Sequence, residues 1–148
     1  MKLTIKGDKE FRLKLSRVEK KLLTREVIGK MAGKSLTLIE ERTAKGKDKN
    51  DQPFKKYSVG YREFKEKRGG GWLDDTGKML SDFTFSVVNK KRAFLHFPKA
   101  DENLKASGHV LGSRILPKRD FFGLTKREGD EVLVIPEKHI KKVIDAES

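Results

Sequence analysis

Between Arg42 and Leu80 the chain places both of its tyrosines, Tyr57 and Tyr61, and its only tryptophan, Trp72, in a stretch too polar to be an ordinary core segment. The stretch opens as a charged run, Lys45 to Asp51 (KGKDKND), and passes through Phe54, Tyr57-Ser58 and Tyr61. It then crosses Gly69-Gly70-Gly71 and ends on an Asp74-Asp75-Thr76-Gly77 turn followed by Met79 and Leu80. It reads as neither one helix nor one strand. A fold for this chain must therefore supply regular elements on both sides and dock these aromatics against them. Long connections with their own aromatic anchors are functional or disordered.

Upstream, Leu3 and Ile5 alternate with polar residues until Gly7-Asp8 breaks a short strand. Phe11, Leu15, Val18 and Leu22 then recur at helical spacing, with Asp8 where an N-cap belongs. Phe11, Leu13 and Leu15 also alternate, so residues 9–15 remain open between helix and strand. Thr24 to Thr43 gives the clearest helix, with Val27, Met31 and Leu38 on one face and Ile28, Leu36 and Ile39 beside it. Thr24 serves as N-cap and Glu26 sits in the first turn. Gly29 and Gly33 weaken this helix by up to ~1 kcal/mol each, unless they admit another element closely. Gly46 is a natural terminator.

Within the opening stretch, residues 44–53 read as a mobile loop. Ser58 can cap a helix over 59–68 that sets Tyr61 and Phe64 on one side. The triple glycine ends that helix as a flexible joint, Trp72 and Leu73 return to the core, and Asp75 can cap the turn that follows.

Downstream, Phe83, Phe85 and Val87 alternate with Thr84, Ser86 and Val88, Asn89 to Arg92 forms a turn, and Ala93, Leu95 and Phe97 face away from Phe94 and His96. This is a β-hairpin. Residues 98–113 read as an exposed loop with at most a helical turn at 100–106. Val132 to Ile135 is extended or helical, and Pro136 suits the first turn of a last helix over 136–146. The sum is one α+β domain over residues 1–148, a small antiparallel sheet packed against N-terminal and C-terminal helices.

The net charge of +13 invites a polyanion or a basic assembly surface. Without cysteine there is no disulfide framework and no thiolate metal site. No window nears the ~18 apolar residues of a membrane span, and no signal peptide is visible, so a soluble protein without membrane contact is expected.

Complete catalytic motifs are missing from the sequence. Gly29 to Ser35 has three residues between its glycines where a phosphate-binding loop needs four, and it lies inside a helix. Gly71 to Met79 has five, with methionine where a magnesium-binding hydroxyl belongs. Asp48 to Asp51 begins like a calcium loop, but Pro53 and Val59 occupy its glycine and glutamate positions. His96, His109 and His139 are dispersed, and Asp74-Asp75 suits capping better than catalysis. No catalytic residue, metal ligand or cofactor is expected. Lysines among Phe54, Tyr57, Tyr61 and Phe64 can grip a nucleic-acid single strand. The spacing of these aromatics is equally that of one helical face, which favours docking of the segment.

In order and spacing, these residues resemble the phage virion morphogenesis, or tail completion, proteins of tailed bacteriophages, relatives of the head–tail joining proteins. The match runs over residues 42–125. It comprises Arg42-Thr43 with Gly46 and Asp48, then Phe54, Tyr57-Ser58 and Tyr61, then Lys65 to Gly69. Thr76-Gly77-Lys78-Met79-Leu80 follows, then the hairpin, and last the box Pro117-Lys118-Arg119-Asp120-Phe121-Phe122-Gly123-Leu124. Two departures stand out. Asp51-Gln52-Pro53 replaces a second glycine of the family, and His96 is followed by Phe97-Pro98 instead of glycine.

The resemblance implies a structural assembly protein and not an enzyme. It would reside in the virion, and in the host cytoplasm during assembly, as a ring or as docked copies. Its partners would be further copies and other virion proteins of the tail or head connector, with nonspecific DNA contact if it lines a channel. The expected partner surface is Lys45, Lys47, Lys49, Asp51, Tyr57, Tyr61, Lys65 and Arg68, continuing to Gly71. The expected structural anchors are Trp72, Thr76, Gly77, Arg119, Phe121, Phe122 and Gly123, with Phe121 or Phe122 turned inward. The rival is a basic nucleic-acid-binding module.

Overall fold

A computed structural model describes Arg17, residues 20–74 and residues 76–148. The expected opening strand, the 9–15 segment and the Asp75 cap lie outside the described residues. The described elements are α1 (Arg25–Ala44), α2 (Val59–Lys67), α3 (Lys78–Asp82), β1 (Thr84–Asn89), β2 (Arg92–His96), α4 (Ala100–Leu111) and α5 (Lys126–Glu147). The fold is α+β, as expected.

The central element is α1. Thr24 Oγ1 accepts from Val27 N at 3.2 Å, the expected N-cap. Its C-terminus closes with Gly46 N on Thr43 O at 2.9 Å and Lys47 N on Arg42 O at 3.2 Å. With Gly46 at φ +72°, this is a Schellman closure. Gly29 and Gly33 face the hairpin: a methyl built on them would stand 3.5 Å from Val87 Cγ2 and 3.5 Å from Phe85 Cε1 respectively.

Among the described residues the sheet is one antiparallel pair, β1–β2, with Phe85 opposite Leu95 and Ser86 opposite Phe94. It lies on α1, and the Arg25 guanidinium donates to the Val87 and Val88 carbonyls at 2.9 and 2.7 Å. The last helix, α5, packs chiefly on α1. The core gathers Ile39 of α1, Phe54 and Leu73 of the polar stretch, Met79, Phe83 and Phe97, Ala106 of α4, and Phe121.

Two boundaries differ from expectation. Residues 100–111 form a full helix where a loop was expected. Asp82 Oδ2 accepts from Lys99 N at 2.9 Å at its start, Asp101 and Glu102 suit the positive N-terminal end, and Gly112 (φ +70°) stops it. The small residues that resemble a loop are its packing face. Ala106 is buried, and Gly108 stands where a methyl would meet Leu116 at 3.4 Å.

Pro136 lies inside α5, which begins at Lys126 and not at 136. The helix starts early because Thr125 Oγ1 accepts from Glu128 N at 3.1 Å while Glu128 Oε2 accepts from Thr125 N at 2.8 Å, a capping box. The proline removes one backbone bond, a cost of about 3 kcal/mol or more. Burial of Val132 and Pro136 accompanies the continuation.

The segment expected as a mobile arm folds as a closed turn. Asp48 Oδ1 accepts from Asn50 N and Gln52 N at 2.8 and 2.9 Å, and Lys47 pairs with Pro53. Lys49 N donates to Asp120 O at 2.8 Å, and Phe54 N to Gly46 O at 2.6 Å.

The glycines make a testable contrast. At Gly46 a methyl would fall 2.4 Å from Trp72 Nε1, and φ is left-handed. Gly46→Ala is expected to cost about 2–4 kcal/mol. Gly33→Ala meets only ordinary contact and relieves a helix-interior glycine, so it should stabilise by about 0.5–1 kcal/mol. Urea denaturation of both variants checks the pair of signs.

Candidate functional site

The polar stretch is organised by one ring. Tyr57 stacks on Trp72 with centroids 5.0 Å apart, and Trp72 in turn meets Phe54 edge-on at 5.7 Å. The Arg119 guanidinium carbon lies 4.4 Å from the Tyr57 centroid and the Lys65 ammonium 4.8 Å. The Tyr57 hydroxyl accepts from Leu73 N at 3.1 Å and from Lys65 Nζ at 3.3 Å. Leu73 holds φ +54°, unusual for a bulky residue, and that hydroxyl bond together with burial of its side chain fixes it. Lys65 Nζ also donates to Gly71 O at 2.6 Å, which ties the end of α2 to the glycine joint.

The expected partner residues therefore divide. Lys65 is buried and Tyr57 half-buried, so both belong to the wall that docks the segment. Tyr61 and Phe64 are exposed and stack at 6.2 Å, and Arg68 lies over Phe64 at 5.0 Å. Together they form an aromatic and basic ledge along α2. Ser58 occupies the N-cap position of α2 without a side-chain cap bond. In the preceding turn, Lys45 is exposed, Lys47 pairs with Asp51 at 3.1 Å, and Lys49 pairs with Asp120 at 2.9 Å.

The anchors also divide. Trp72 packs on the core, Gly77 takes φ +74° at the start of α3, and Arg119 is buried with its guanidinium on Lys55 O at 3.0 and 3.2 Å. Phe121 is fully buried, whereas Phe122 is 39% exposed and touches Phe83 and Phe97 from the rim. Thr76 is exposed. The Gly123 and Phe121 carbonyls accept from Arg42 Nη2 at 2.8 and 2.6 Å.

Sequence reasoning passed over Glu102 and set His109 aside as a dispersed histidine; both belong to α4. Both line a cavity of about 550 Å³ that Tyr57, Lys65 and Arg119 also border. Their signal was present: Glu102, Ala106 and His109 recur at i, i+4 and i+7, one helical stripe. Among the described residues no three His, Asp or Glu side chains converge as a metal site would require. No helix among them is long and apolar enough to cross a membrane.

Comparison with protein-family models, curated proteins and solved structures finds no match to this chain.

Burial, and then the positive charges of Arg119 and Lys65, hold the His109 imidazole below its ordinary value of 6.5. The unfolded chain takes up this proton near pH 6.5 and the folded chain only at lower pH. The site thus contributes no instability above 6.5 and a growing one as pH falls below it. Urea midpoints at pH 7.5 and pH 5 should show a smaller acid-side loss in His109→Gln than in the native chain. Equal losses would refute the assignment.

Proposed function

We propose that this chain is a structural component of phage virion assembly that acts in tail completion or head–tail joining, as a ring or as docked copies. One observation carries the reading. The two ends of the residue order resembling that family, Arg42-Thr43 and the box up to Leu124, touch in space: the Arg42 side chain donates to the Phe121 and Gly123 carbonyls. Residues 79 positions apart or more thus form one structural unit, as expected if they belong to one inherited pattern.

The surface agrees with this role. A net charge of +13 suits a part that sits beside packaged DNA or an acidic protein face. The α2 ledge offers Tyr61, Phe64 and Arg68, residue types enriched at protein interfaces. The same ledge favours a second reading, nucleic-acid binding by charge and stacking. The two separate by salt dependence. A dedicated binder loses affinity steeply with added salt from a tight starting point, whereas an assembly part holds free DNA weakly throughout.

Deletion of the gene in its phage, viewed by electron microscopy, tests the proposal. The expected result is DNA-filled heads without joined tails, or tails of faulty length or tip. Normal virions would contradict it.

A further inference from the structure

The cavity between α2, α4 and residues 115–119 has an unbalanced charge. Lys65 and Arg119 border it at 4% and 2% exposure. Lys65 is met by the Gly71 carbonyl and the Tyr57 hydroxyl, and Arg119 by the Lys55 carbonyl and the Tyr57 ring. Among the described residues, no carboxylate oxygen comes within 4.0 Å of either cation. The one acid among the described lining residues, Glu102, is buried and already held by Lys105 at 3.0 Å. Exposed Lys56 adds a further positive charge at this cavity. Buried cations are ordinarily paired, because removing a charge from water is costly unless an opposite charge compensates.

Ser58, Thr76 and Lys105 also border the cavity, but most of its remaining surface is apolar. Leu73, Met79 and Leu116 contribute to it, and Ile115, 93% exposed, stands where it reaches solvent. His109 Nδ1 is buried there without a hydrogen-bond partner.

We propose that this cavity receives an acidic segment of a partner protein, with a carboxylate against Lys65 and Arg119 and a neighbouring apolar side chain against Leu116 and Ile115. A carboxylate fits better than a nucleic-acid phosphate. A phosphate backbone is followed by an open basic groove, whereas this site is partly enclosed, mainly apolar and carries Glu102 in its wall. Capture of such a segment does not depend on whether the chain builds virions, so this proposal and the assembly reading fail separately.

The test is a titration of the full chain with an end-blocked hexapeptide of alternating aspartate and leucine. Trp72 emission reports binding because that ring stacks on Tyr57 of the cavity wall, and the His109 imidazole signals report it by NMR. Saturable changes in both are expected, with no response to the matching lysine–leucine peptide. Lys56→Glu and Ile115→Ser alter exposed side chains, so the fold should persist by circular dichroism while affinity falls about tenfold for each. The proposal is overturned by no saturable response, by equal binding of the lysine peptide, or by unchanged affinity in both variants. A thymidine hexanucleotide that shifts the His109 signals where the aspartate peptide does not would also overturn it, in favour of nucleic acid.

Discussion

The fold depends on the buried guanidinium of Arg42. From the last turn of α1 it reaches the Glu128 carboxylate and the Phe121 and Gly123 carbonyls. The same Glu128 oxygen accepts from Thr125 N, so one acid both pairs with α1 and starts α5. Burying such a charge is costly unless it is paired, and here a carboxylate and two carbonyls meet the guanidinium, although Arg42 Nε lacks a partner. The arrangement fixes three things together: the register of α1 against α5, the path of residues 121–123, and the inward placement of Phe121.

A second cluster does for the polar stretch what Arg42 does for the helices. Tyr57 combines a ring that stacks on Trp72, a hydroxyl that secures the left-handed Leu73, and a face that attracts Arg119 and Lys65. Such side chains let a segment rich in charge enter the interior, because the polar tips find partners while the rings exclude water. The cost is an interior with two cations and no matching acid among the described residues, and that imbalance makes the adjoining cavity a place for an anionic group.

Much of this was legible from residues alone. The α1 helix, its Thr24 cap, its end at Gly46 and the hairpin follow from periodicity and turn chemistry, which act locally. Of the Arg119–Leu124 box expected to anchor the fold, Arg119 and Phe121 are buried while Phe122 and Leu124 are exposed, and Trp72 packs on the core. What escaped depends on partners outside each short stretch, or on a local capping signal that outweighs a proline. The α4 helix resembles a loop until Asp82 holds its start and its small residues pack. Pro136 marks a helix start by local rules, but the Thr125–Glu128 box and packing on α1 override it. Lys65 looks like a surface lysine because nothing in its neighbourhood of sequence shows that Tyr57 and Gly71 will enclose it.

Arg42 and Glu128 are expected to act as one unit that joins the end of α1 to the start of α5. A double-mutant cycle with Arg42→Met and Glu128→Leu, read by urea denaturation, tests it most directly. Arg42→Met alone is expected to cost about 3–5 kcal/mol, because it strands a buried carboxylate. If the two residues act as one unit, the double variant loses at least about 1 kcal/mol less than the sum of the single variants. Single losses below about 0.5 kcal/mol, or strict additivity, would contradict it.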